Sequence, residues 1–269
     1  MRTKLSELRQ AVNSCIYDVI VLVESWLNDD YLEPELGFCD FIVFRQDRSH
    51  EKTGKTRGGG TLIAVRKCLK ARMIQVSDSV LEHVFVNVSF GSRKIILGAV
   101  YIPPSSPNSV YEEFSSSASE LLAGYSSCDI LVCGDFNLPS TVWINSKDGL
   151  CVESAQSVTS ANLLCACCNY LNLCQVNCIS NKFGNFLDLV FTSLLEAQVC
   201  IASENLLNVT ERHLAYEILL PMDCGIGLKY DVFYYDFKSC NFEAINSYFA
   251  SVPWEYALDS NDINISDYP

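Results

Sequence analysis

Eight short runs rich in β-branched and aromatic residues punctuate the chain: Val19–Val23, Phe41–Phe44, Thr61–Val65, Val84–Val88, Ile95–Ile102, Ile130–Cys133, Leu187–Phe191 and Leu214–Leu220. Each has the length of a strand and is too short for an independent helix. Helical spacing appears in three places. Thr3 to Val12 sets Leu5, Leu8 and Val12 among polar residues behind Thr3, a candidate N-cap, and Val110–Leu122 and Ser157–Leu171 repeat the pattern. Some neighbouring strands are close enough for hairpins and others are bridged by helices, so a mixed sheet covered by helices is expected, not a strict βαβα alternation. Val19–Val23 reads as a strand buried on both faces. Gln46–Gly60 and Pro103–Asn108 read as loops.

Charge narrows the function. The 269 residues carry 19 Lys+Arg against 32 Asp+Glu, a net −13, which excludes a generally basic surface that coats nucleic acid. No run approaches the roughly 18 apolar residues of a membrane span. Met1 to Gln10 carry Arg2, Lys4, Glu7 and Arg9 without an apolar stretch, so no secretory signal and no membrane partner are expected. The 14 cysteines are then free thiols in a reducing compartment, nuclear or cytoplasmic. Cys165, Cys167, Cys168, Cys174 and Cys178 lack paired zinc spacing and read as helix-packing residues. Gly54-Lys55-Thr56 is not a phosphate loop, because Ser49 stands where the earlier glycine is needed and a strand follows.

Three segments carry chemistry. In Leu131-Val132-Cys133-Gly134-Asp135-Phe136-Asn137-Leu138-Pro139 an apolar strand ends in a carboxylate and an amide. Strand alternation would put Asp135 and Asn137 on one face, where they could orient a phosphate, a water and a hard divalent cation; an Asx-type turn closing the strand is the simpler alternative. Glu24 ends the apolar run Val19–Val23 and needs a partner or a metal, unless it is an exposed strand-end residue. Asp188 inside one apolar strand and His213 at the start of another suggest a pair in which the carboxylate favours the imidazolium. His50, in a charged loop, and His83, next to Glu82, read as solvated.

Taken in order, Val23-Glu24-Ser25-Trp26-Leu27, Gly58-Gly59-Gly60-Thr61, Val100-Tyr101-Ile102-Pro103-Pro104, Gly134-Asp135-Phe136-Asn137-Leu138-Pro139, Leu187-Asp188-Leu189-Val190-Phe191-Thr192 and His213 resemble the endonuclease/exonuclease/phosphatase superfamily. More narrowly they resemble the apurinic-type endonuclease domain of jockey-like non-LTR retrotransposons. The resemblance spans about residues 3 to 220. It implies an α/β (α+β) fold, a two-sheet sandwich flanked by helices in the DNase I-like four-layer manner. It also implies a Mg²⁺-dependent (or Mn²⁺-dependent) nick in DNA. Glu24 would bind the metal and Tyr101 would contact the scissile phosphate. Asp135 and Asn137 would position water and phosphate, and His213, oriented by Asp188, would neutralise charge on the phosphate.

The family's first strand, with its asparagine, has no counterpart here, and Arg212 stands where the family places an acid before the histidine, with Glu211 the nearest carboxylate. A truncated, catalytically inactive copy acting as a binding module is therefore a second expectation, and a phosphatase for phosphoinositides or other small phosphoesters a third. Residues 1–220 are expected to be the nuclease-like domain. Residues 221–269, with Tyr235-Asp236-Phe237-Lys238, Asn241-Phe242 and Val252-Pro253-Trp254, resemble the linker to a reverse transcriptase that this chain does not contain. Arg45, Arg48, Lys52, Lys55 and Arg57 form the one locally basic stretch, a weak candidate for touching DNA phosphates.

Overall fold

In a computed structural model, residues 4–55, 57–77, 79–139, 141–154, 159–221 and 241–253 are described. Contacts divide the chain into two units, Met1–Gly225 and Ile226–Pro269. The first unit runs α1 (Leu5–Ser14), β1 (Val19–Val23), a 3-10 turn (Glu33–Leu36), β2 (Phe41–Gln46), one-turn α2 (His50–Thr53), β3 (Thr61–Arg66), β4 (Lys70–Ile74), β5 (Glu82–Phe90) and β6 (Arg93–Tyr101). It continues with α3 (Asn108–Tyr125), β7 (Asp129–Asp135), β8 (Thr141–Ser146), β9 (Gly149–Ser154), α4 (Thr159–Tyr170), β10 (Cys174–Gln175), β11 (Asp188–Thr192), β12 (Gln198–Ile201) and β13 (Tyr216–Leu219). In the second unit α5 (Phe242–Ser251) is capped by the Asn241 side chain, which accepts from the Ala244 amide; the Tyr235–Lys238 part of the linker-like segment and Trp254 lie outside the described residues.

Two sheets carry the first unit. One has three strands in the order β1-β3-β2; the other has six in the order β10-β11-β7-β6-β5-β4, with β6 and β7 parallel across α3 and the other neighbours antiparallel. Alternation along the strands of the larger sheet sorts side chains into two cores. Val84, Val86, Ile95, Leu97, Ala99, Leu131, Cys133 and Val190 face Ile63 and Val65 of the smaller sheet. On the opposite face, Phe85, Ile96, Val100 and Val132 pack under Tyr111, Phe114, Ala118 and Leu121 of α3 and Leu164 and Cys168 of α4. A third core joins Leu8 and Val12 of α1 to Ile20, Leu62 and Ala64. The order helix, sheet, sheet, helices is the four-layer α/β sandwich expected from the sequence.

Several expectations need correction. Val19–Val23 is an edge strand with only Ile20 buried, because among the described residues β1 pairs with β3 alone. Strands β4, β8, β9, β10 and β12 are not among the expected runs: Lys70–Ile74 and Thr141–Ser146 are mostly exposed, and their apolar residues are few and mixed with polar ones. The Gln46–Gly60 loop contains α2, capped by the Ser49 side chain. Thr3 lies outside the described residues, and Lys4, at the N-cap position, makes no side-chain cap.

The twelve cysteines among the described residues are all free. Burial in the α4 core pushes the Cys165, Cys167 and Cys168 thiols up, which suits packing and opposes the thiolate form a metal needs.

His83 is buried, not solvated. Its Nδ1 lies 3.0 Å from the Leu81 carbonyl, its ring rests against Phe85, and its Nε2 has no partner. Burial, aided by Lys52 and opposed by Glu113 and Glu120, pushes its pKa below the ordinary value. The unfolded chain therefore binds the proton more readily. The stabilising contribution is complete above the ordinary pKa of about 6.5 and is lost as pH falls through the lowered folded value. Between about pH 7 and pH 5, urea melts should show the wild-type chain losing more stability than His83→Phe; equal losses would refute the buried neutral imidazole.

Candidate active site

The strand register brings the candidates together. Glu82, Tyr101, Asp135 and Asp188 are successive cross-strand partners on β5, β6, β7 and β11, one row at one end of the larger sheet. Their side chains fall on the same face as Val84, Ala99, Cys133 and Val190, toward the three-stranded sheet. From that sheet comes Glu24, which follows the last residue of β1 with a left-handed backbone (φ 52°) and accepts a hydrogen bond from Tyr101 Oη at 2.5 Å. Burial and the Glu24 carboxylate push the Tyr101 phenol well up, so it is a donor.

Asn137 reaches the row by a different route from the one alternation suggests. β7 stops at Asp135, and Asn137 takes a left-handed conformation (φ 47°) in an Asx turn. Its amide donates to Asp135 Oδ1 at 3.0 Å, and its Nδ2 donates to Asp135 Oδ2 at 2.6 Å and to the Ile102 carbonyl at 2.8 Å. Between them Phe136 points the other way, fully buried against Phe114 and Phe191. The turn and the chemical constellation are thus one feature.

Asp188 opens β11 instead of lying inside it, and His213 lies in the loop before β13. His213 Nδ1 is 3.1 Å from Asp188 Oδ2, while Nε2 is 3.9 Å from Asp135 Oδ2. The hydrogen bond to Asp188 raises the imidazole pKa against the opposing effect of burial, and the charges of Asp188, Asp135 and Glu24 add to the rise. Asp135, 3% exposed, has its carboxyl pushed up to about 7 by burial and by Asp188, with His213 and Asn137 opposing. One ligand atom each from Asp135, Asp188 and His213 lies within 4.8 Å of the others, so these three could hold a metal ion.

Sequence reasoning missed the support beneath the row. Arg48 Nε donates to Glu82 Oε1 at 2.5 Å with both side chains under a tenth exposed, Arg48 Nη1 donates to the Arg57 carbonyl at 2.9 Å, and the guanidinium lies over the Tyr101 ring. Glu82 Oε2 accepts the Gly60 amide at 2.5 Å. Gly59 (φ 71°) crosses so near that a Cβ there would lie 2.1 Å from Glu82 Oε2. The glycine run then accepts the Ser25 and Trp26 amides, at 3.1 Å and 2.9 Å, which fixes the backbone beside Glu24. Neighbouring His83 and the apolar strand give the only sequence hint that Glu82 is buried. Arg48→Met is expected to cost about 3 kcal/mol by leaving Glu82 unpaired, with part recovered on adding Glu82→Gln; a urea midpoint equal to wild type would refute the clamp.

Residues 95–211 match the family model described as endonuclease-reverse transcriptase. The endonuclease domain of TRAS1, a telomere-specific non-LTR retrotransposon, superposes with a TM-score of 0.58 at 13% identity, covering 81% of this chain and 92% of that one. The four-layer α/β fold is shared with that endonuclease domain. The human Nocturnin catalytic domain, solved with a bound sulfate anion, matches at TM-score 0.51 and 11% identity, over 81% of this chain and 85% of that one. No curated protein matches the chain by sequence.

Within this fold the basic stretch divides. Arg48 is turned inward, and Arg45 is largely buried, donating to the Tyr31 carbonyl at 2.8 Å and lying 3.4 Å from Asp47. Neither presents its charge freely to a phosphate, because each is engaged within the protein. Lys52, Lys55 and Arg57 are exposed. Glu211 pairs with Lys182, and the exposed Arg212 lies over the Phe183 ring at 6.0 Å. No helix among the described residues is long and apolar enough to cross a membrane.

Proposed function

We propose that residues 1–220 are a metal-dependent phosphodiesterase domain of retrotransposon origin that nicks DNA. The observation that carries this reading is the continuous set Glu24–Tyr101 and Asn137–Asp135 beside Asp188–His213, converging from both sheets on one end of the sandwich. Asp135 accepts a proton from the attacking water, oriented by the two donors of Asn137. His213, whose protonated form Asp188 favours, presents Nε2–H to a phosphate oxygen. Tyr101 aligns the phosphate and the Glu24 carboxylate by donating its hydroxyl proton.

The donors fit a hard divalent cation, Mg²⁺ or Mn²⁺. Glu24 would supply a carboxylate oxygen, and a cation beside the Asp135–Asp188–His213 cluster would offset the burial and repulsion that raise Asp135. When bound, it would stabilise negative charge developing on the phosphate. DNA as the substrate is supported by the retrotransposon endonuclease likeness and the family description over residues 95–211. Residues 221–269 are proposed as a linker toward a reverse transcriptase.

The test is relaxation of supercoiled plasmid by the purified chain. Activity should require Mg²⁺ or Mn²⁺, cease with chelator and be lost in Asp135→Ala. Relaxation indifferent to that substitution would overturn the assignment. Hydrolysis of phosphoinositides or small phosphoesters with intact plasmid would move the substrate class. No turnover of any of these would favour the inactive binding module.

A further inference from the structure

The Trp26 side chain takes no part in the acidic row. It stands two residues after Glu24, 49% exposed, with a left-handed backbone at φ 57°. A bulky residue pays a conformational penalty there that glycine would avoid. Burial alternates along the segment: Glu24 and Trp26 are exposed, Ser25 and Leu27 almost wholly buried. The Trp26 amide donates to the Gly59 carbonyl at 2.9 Å, the Ser25 amide to the Gly60 carbonyl at 3.1 Å, and the Leu27 amide to Ser25 Oγ at 3.4 Å. The backbone is therefore pinned on both sides of a large aromatic ring that is left half in solvent.

Its neighbourhood adds charge. The indole edge passes Gly58, with Cε2 and Nε1 3.9 Å from the point a Cβ there would occupy. The preceding residue, Arg57, has an exposed side chain, and its carbonyl is anchored by buried Arg48. A fixed aromatic surface and a cation on a fixed backbone thus sit together beside Glu24, in a protein whose net charge is −13. Base-on-aromatic stacking next to a backbone cation is how single strands are held without sequence readout.

We propose that Trp26 is a stacking platform for a nucleobase next to the scissile phosphate, with Arg57 holding a neighbouring phosphate. This rests on the phosphodiesterase reading of the adjacent row. Any nucleobase offers a π-face, so the platform favours places where a base is already unstacked over a particular sequence.

The experiment follows Trp fluorescence in chelator, where no cleavage is expected, while titrating a short oligodeoxythymidylate and a strand of equal length built from abasic phosphodiester units. The base-bearing strand should quench the signal and bind more tightly. Trp26→Ala should weaken its binding by about 5- to 30-fold, and Trp26→Phe by no more than about 3-fold with the quenching lost. Trp143 and Trp254 remain in both variants and give the background. Arg57→Gln should weaken both strands and lower the salt slope by about 0.7. Equal binding of the two strands by the wild-type chain, or unchanged binding in Trp26→Ala, would overturn the platform. Plasmid nicking is measured separately: nicking with equal strand binding sinks the platform alone, and base-dependent quenching without nicking sinks the enzyme reading alone.

Discussion

Asp135→Asn is expected to lower the rate of plasmid nicking by about 10²- to 10⁴-fold, the range for loss of a positioned general base. The change keeps the shape of the side chain, so the Asx turn closed by the Asn137 amide on Asp135 Oδ1 should survive. It removes the proposed proton acceptor and one of the carboxylates in the cluster of Asp135, Asp188 and His213. Stability should move the other way. The carboxyl is pushed up by burial and by Asp188, so a neutral amide removes a buried repulsion, which offsets loss of the Asn137 Nδ2 hydrogen bond to Oδ2. A melting temperature equal to or above wild type, with nicking lost, is the signature of a site that carries strain for function. Undiminished nicking would remove Asp135 from the reaction, and a collapsed fold would assign it a structural role instead.

Gly134→Ala should be the most destabilising single substitution at the site, more than about 4 kcal/mol, and is expected to leave little folded protein. Gly134 sits at φ 151° on β7, where an added Cβ would lie 1.9 Å from the Val100 carbonyl oxygen on the parallel neighbour β6. Both atoms belong to central-strand backbone, so neither can move without breaking the register that sets Tyr101 opposite Asp135. Denaturant melts of Gly134→Ala check this directly. A cost below about 1 kcal/mol would mean the strands are looser than the register implies. The glycine before Asp135 is thus required by strand packing, independently of any chemistry that follows it.

The strands with apolar runs were legible because β-branched and aromatic residues mark buried pleated surface. Mostly exposed strands such as β4 and β8 were not, since a strand that buries little needs no long apolar pattern. The candidate site was legible as an ordered set of residues, each weak alone. Asn137 shows why order was not enough: alternation predicted its neighbourhood, but an Asx turn with φ 47° delivers it. His83 was misread and the Glu82–Arg48 pair missed because the identity of a charged or imidazole residue does not itself show whether the fold buries it.

Sequence alone therefore determined the supply of strands, the acidic balance and the identities of Glu24, Tyr101, Asp135, Asn137, Asp188 and His213. Tertiary structure decided that Tyr101, Asp135 and Asp188 share one cross-strand row, that Glu24 meets it from the other sheet, and that His213 arrives on a loop. The physical reason is register. Local side-chain preference specifies that a segment is a strand, whereas which residue stands beside which depends on backbone pairing between strands distant in sequence, as for β7 and β11, and on two sheets closing over a common core, which brings Glu24 to Tyr101, 77 positions away.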